Sequence, residues 1–179
     1  MKLQAHIPVI DHILDDWRSD LGADYIAYRN HCYRVYNFCY GLSGAKRINE
    51  EKIGISAAFH DLGIWTARSF DYLEPSKNLA REYLMRSGRP EMVAEIEAMI
   101  DNHHKLTAYP KNSDWLVEPF RKADWVDISM GVLKFKLQQT FVRNVLTFFP
   151  NNGFHKRLGE LTLQRMRRHP FSPLPMMKI

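Results

Sequence analysis

Four groups of side chains in this sequence have the types needed to bind a divalent metal: His31, the adjacent His60 and Asp61, the adjacent His103 and His104, and Asp124. Imidazole and carboxylate are ligands for a borderline or hard cation. His60 and Asp61 end a run otherwise made of Ile, Ala, Phe and Leu. Burying an imidazole and a carboxylate side by side there is costly unless a metal or another partner compensates. A pair of hydrogen-bonded core residues is the alternative reading. The spacing does not choose between them, because ligands on four different helices leave no short-range signature.

The elements that must position these groups repeat their apolar residues at three and four. A first helix follows Pro8 through Val9, Ile10, Ile13, Leu14 and Trp17, and a second spans about 24–42 and carries His31. A third starts after Asn49-Glu50-Glu51, is apolar on nearly all sides, ends near Gly63 and should be the most buried. Pro75 opens a fourth and Gly88 closes it; Pro90 opens a fifth that leads to His103 and His104. A sixth runs from Leu116 to Ile128 with Asp124 on it, and Val132–Phe149 and Phe154–Arg168 give two more. The tail from Pro170 to Pro175 should be extended. No segment alternates with period two. The expectation is an all-α, single-domain bundle of about eight helices over residues 1–179, with a metal-binding core at about 25–130, basic helices at 131–169 and a tail at 170–179.

The order of the motifs resembles the HD-domain superfamily of metal-dependent phosphohydrolases. It reads Asn30-His31-Cys32-Tyr33-Arg34-Val35-Tyr36, then Ala58-Phe59-His60-Asp61-Leu62-Gly63, then Asp101-Asn102-His103-His104, then Ala123-Asp124-Trp125-Val126-Asp127. The resemblance implies that His31, His60, Asp61 and Asp124 coordinate one divalent ion inside the bundle. Superfamily members use manganese, magnesium, iron, cobalt, nickel or zinc; two imidazoles favour manganese or another transition metal over magnesium. The implied reaction is hydrolysis of a small phosphate ester, most plausibly a nucleotide, by a metal-activated water.

Further roles follow from position. Arg34, one turn beyond His31, and Lys105, after the histidine pair, are the candidates to stabilise phosphoryl charge. Arg34 is equally placed to pair with a carboxylate. Lys122 should point elsewhere. Two residues adjacent on a helix lie about 100° apart, so one of His103 and His104 should face the site, as a proton donor or as a ligand of a second ion. Asp61 can also hold the attacking water. Asp127 reads as a surface or capping acid, with support of a metal ligand from behind as the alternative. The segment before the fourth helix lacks the histidine that two-metal members add, although Asp71 or Glu74 could substitute. Trp65, Phe70 and Tyr72 either line a pocket or pack the loop. Two alternatives remain: hydration or hydrolysis of a small amide or nitrile on the same site, and a nucleic-acid-binding module with a structural metal.

Composition sets the wider frame. The chain has 179 residues, 45% hydrophobic and 12% aromatic, which suits one globular domain. No apolar run approaches the roughly 20 residues of a membrane span. The first residues do not read as a secretory leader, and Cys32 and Cys39 make no disulfide framework, so a cytoplasmic location is expected. The net charge of +5 is uneven: residues 131–179 carry 9 Lys+Arg and one acid, Glu160. That basic third is either a solvated face or an attractor of phosphate or nucleic acid. Phe148, Phe149, Met176 and Met177 suggest a self-association surface and a homodimer.

Overall fold

The computed structural model describes residues 1–172 and 174–177. It is all-α, with helices at Pro8–Asp16 (α1), Arg18–Leu21 (α2), Tyr25–Leu42 (α3), Glu50–Phe59 (α4), Gly63–Thr66 (α5), Leu73–Arg86 (α6), Val93–Asn102 (α7), Val117–Ile128 (α8), Gln139–Phe148 (α9) and Phe154–Arg168 (α10). Eight of these have nine residues or more, and the described residues contain no β-strand. None of the described helices is long and apolar enough to cross a membrane.

α3 is the axis of the bundle and packs against α8, α4 and α1. Fourteen of its 18 residues are buried, so its polar side chains must find partners inside the protein. Asn30 donates to the Pro150 carbonyl at 2.8 Å, and Asn37 accepts from the Gln4 backbone N–H at 2.8 Å. Every residue from Ile53 to Trp65 is buried, as expected of a segment apolar on all sides. That stretch is not one helix, however. It breaks after Phe59 into a turn at residues 60–62 before α5 begins.

Gly63 permits the next close approach. Its N–H donates to Ser76 Oγ at 2.9 Å, and a Cβ there would come within 2.5 Å of the Tyr72 carbonyl oxygen. Gly63→Ala must therefore push the start of α6 away, at a cost of about 1–3 kcal/mol. A thermal melt should show Tm lower by several degrees.

Three expectations need correction. The helix expected over Val132–Phe149 starts only at Gln139. Met130 and Gly131 adopt left-handed φ values of 52° and 78°, and their N–H groups donate to the Asp127 and Val126 carbonyls to close α8. Ser129 Oγ then accepts from the Leu133 N–H, and Phe135 is also left-handed at 50°, so the chain cannot continue helically there. Second, the tail makes turns at Pro170–Phe171 and Pro175–Met176 and is not extended; Pro173 lies outside the described residues. Third, Phe149 and Met176 are buried and Met177 is partly covered by the core, leaving Phe148 exposed. These four residues do not form one self-association surface.

Candidate metal centre

The ligands expected from the sequence come from three parts of the bundle. His31 projects from the middle of α3, His60 and Asp61 from the turn between α4 and α5, and Asp124 from α8. All four are buried. His31 Nε2 lies 2.8 Å from His60 Nε2, 3.6 Å from Asp61 Oδ2 and 3.7 Å from Asp124 Oδ1. His60 Nε2 lies 3.5 and 3.8 Å from the same two oxygens.

The other nitrogen of each ring fixes what Nε2 can do. His31 Nδ1 bonds Asp127 Oδ2 at 2.6 Å, and His60 Nδ1 bonds the Ala57 carbonyl at 2.9 Å. The Ala57 carbonyl can only accept, so His60 carries its proton on Nδ1 and presents a lone pair at Nε2. A neutral His31 donating to Asp127 presents a second lone pair at 2.8 Å from the first. Two lone pairs at that distance repel unless a cation or a proton lies between them. Among the described residues, Asp61 Oδ1 and both Asp124 carboxylate oxygens are buried with no hydrogen-bond partner. The donor set could therefore hold a metal ion: two imidazole nitrogens, each backed by a hydrogen bond on the far side of its ring, and two buried carboxylates with three unpaired oxygens between them.

Charge leads to the same conclusion. Burial opposes ionisation of Asp127, but the Arg34 guanidinium and His31 hold its carboxyl well below the usual range. Arg34 and Asp127 cancel, leaving the two charges of Asp61 and Asp124. Without a metal, protons must serve instead. Burial disfavours a charged His31, yet the Asp127 hydrogen bond and Asp61 outweigh it and raise the ring to about 9. Burial together with the neighbouring His31 and His103 pulls His60 down to about 4, although Asp61 opposes that shift.

Both members of the second histidine pair reach the site, contrary to the expectation of one. His103 Nε2 lies 3.3 Å from Asp61 Oδ1, and His104 Nδ1 lies 3.3 Å from Asp124 Oδ2. The pair follows the end of α7 at Asn102; His103 keeps helical dihedrals (φ −63°, ψ −28°), and the two rings still converge, with centroids 3.9 Å apart. His103 Nδ1 bonds the Ile100 carbonyl at 2.6 Å, again turning Nε2 inward. Asp61, His103 and His104 form a second group able to hold a metal, beside that of His31, His60 and Asp61.

Arg34 does not face the ligands. It is 1% exposed, with Nε and Nη2 on the two oxygens of Asp127 and Nη1 donating to the Phe149 carbonyl at 3.1 Å. Asp127 is accordingly a buried clamp between His31 and Arg34, and not a surface or capping acid. The Lys105 carbonyl accepts from Arg121 and from the Trp125 indole, which ties down the turn that carries the histidine pair. Lys122 pairs with Glu118, pointing away as expected. Glu74 is engaged by Lys77 at 2.7 Å and Asp71 is exposed, so neither supplies a further ligand.

No family model, curated protein or solved structure matches this chain. What its own residues add to the centre is specific. Tyr72 OH lies 2.7 Å from His104 Nε2 and 3.5 Å from His103 Nε2, so this loop aromatic belongs to the site. Phe154, the first residue of α10, stacks on His31 with ring centroids 4.0 Å apart. His155 reaches to 4.0 Å from Asp127. The crowding of aromatics after the His-Asp pair marks Tyr72 as lining a pocket or packing the loop, but no local pattern marks Phe154 or His155. A phenylalanine and a histidine at a helix start are ordinary until the fold brings them inward.

Proposed function

We propose that this chain is an HD-type, metal-dependent hydrolase of small phosphate esters of the nucleotide class. The observation that carries the reading is the convergence of two inward-facing imidazole nitrogens and two buried carboxylates, three of whose oxygens have no hydrogen-bond partner among the described residues. His31, His60, Asp61 and Asp124 would hold the ion, for which four nearby imidazoles favour manganese, iron, cobalt, nickel or zinc over magnesium. The ion, when bound, supplies a Lewis acid and an acidified water. The protein does the rest. Asp127 orients His31, the Ala57 carbonyl orients His60, and the Tyr72 hydroxyl holds His104, the group best supported to pass a proton to the leaving oxygen.

Arg34, expected to clamp phosphate, is committed to Asp127. That observation favours a second reading on the same centre, hydration or hydrolysis of an uncharged amide or nitrile. Phosphate release from a panel of nucleotides and simple phosphate esters separates the two, using protein stripped of metal and reloaded with each ion. Release from at least one ester with one metal is the expected result. No release with any metal, from protein that still binds an ion tightly, would move the assignment to the amide or nitrile reaction.

The metal itself is testable by stability. At a hundredfold excess over Kd an ion adds about 2.7 kcal/mol, so Tm should rise by about 5–10 °C and fall back with chelator. The shift should be larger at pH 8 than at pH 6. In the metal-free protein His31 keeps its proton up to about 9. Its contribution to metal-free stability is therefore complete below about 6.5 and fades as pH rises through about 9. Coordination must displace that proton, costing up to about tenfold in affinity for each unit of pH below 9. Differential scanning fluorimetry at the two pH values checks both statements.

A further inference from the structure

A cleft of about 520 Å³ lies between α10 and the segment of α5 and the loop that follows it. Its volume suits a ligand of nucleotide size. Arg68 enters from the loop, and Arg157, Arg165 and Arg168 enter from α10. The last three fall at intervals of eight and three residues, which places them on one helix face. The other two cations of the basic cluster on α10, Lys156 and Arg167, do not line the cleft. Among the described residues Asp20 is the one acid of the lining.

The two walls share a fixed point. Asp24 Oδ2 accepts the Trp65 indole N–H at 2.9 Å and lies 3.2 Å from Arg157 Nε. The Trp65 ring packs on Tyr28 with centroids 4.7 Å apart, and Phe70 closes the side of the loop. Arg157 is thus partly neutralised, with Glu160 also 3.7 Å away, whereas Arg165 donates through Nε to the neutral Ser172 carbonyl. Guanidinium side chains from two elements thus line one concavity together with Trp65 and Phe70. That arrangement matches the planar, bidentate recognition of phosphate.

We infer that this cleft binds a small, multiply charged phosphate compound, separately from the metal centre and independently of the hydrolase reading. Arg68, Arg165 and Arg168 hold the phosphates, and the Trp65 and Phe70 side bounds the remainder of the ligand.

The test is calorimetric titration of the full chain, at low salt and with chelator present, against inorganic tripolyphosphate, ATP and adenosine. The chelator removes the metal centre from the readout, so this result and the fate of the hydrolase reading are decided separately. Tripolyphosphate and ATP should bind and adenosine should bind far more weakly. Arg165→Ala and Arg168→Ala should each weaken binding by about tenfold. Lys156→Ala and Arg167→Ala remove the same charge from α10 outside the cleft and should change it by about twofold or less. Asp20→Asn should tighten binding, a gain that damaged folding cannot imitate. Equal losses from the cleft and control variants would overturn the site in favour of a general basic surface. Tighter binding of an RNA oligonucleotide, insensitive to Arg165 and Arg168, would overturn it in favour of nucleic acid. Failure of tripolyphosphate to bind would remove it altogether.

Discussion

Asp61→Asn should abolish metal-dependent phosphate release, by about a thousandfold or more, while leaving a folded protein. Asp61 is the residue shared by both groups that can hold a metal, with Oδ2 toward His31 and His60 and Oδ1 toward His103. An amide in its place keeps the volume but removes half of the uncompensated negative charge at the centre, and it presents N–H groups where only acceptors serve a cation. A thousandfold corresponds to about 4 kcal/mol of lost stabilisation, the scale of charge stabilisation that a coordinated cation supplies. The variant should keep its helical circular dichroism and lose the rise in Tm on adding metal. A variant that still gains several degrees from the same ion, at the same concentration, would take Asp61 out of the ligand set.

Asp127→Ala should be the most damaging single change to stability, at about 3–5 kcal/mol. The carboxylate is fully buried and serves two partners at once, Arg34 through both its oxygens and His31 through Oδ2. Removing it strands a guanidinium that is 1% exposed, and the Phe149 and Pro150 carbonyls cannot neutralise that charge. It also frees His31 to rotate, so metal affinity should fall with stability. The double variant Arg34→Met/Asp127→Leu should denature at a higher urea concentration than Asp127→Leu alone, because a pair replaced as a whole leaves no buried charge. If the double variant were no better than the single one, the loss would be one of packing and not of an unpaired ion.

The sequence by itself determined the helical class, the approximate position of each helix through the core, and the four motifs in their order. These are local properties. The three-and-four period of apolar residues reports which face of one element must be covered, as in the unbroken burial from Ile53 to Trp65. The period failed where its premise failed. Val132 and Leu133 keep an apolar pattern, but Met130, Gly131 and Phe135 have left-handed backbones that no pattern of hydrophobicity encodes. The same premise misjudged the histidine pair. An angle of about 100° between neighbouring side chains does not stop both from reaching one site when that site's groups surround them. His60 and His103 keep helical dihedrals at their helix ends, yet His103 and His104 each come within 3.3 Å of a different carboxylate, Asp61 and Asp124.

Only the tertiary structure decided what stands behind the candidate ligands. Asp127 on α8 meets His31 and Arg34 on α3 across 96 and 93 residues of chain, and Tyr72 meets His104 across 32. Phe154 reaches His31 from the last helix. A sequence pattern states the chemistry a side chain offers and the face it occupies. The distance between two faces depends on how whole helices pack, which is fixed by the fit of the entire core and not by any segment of it.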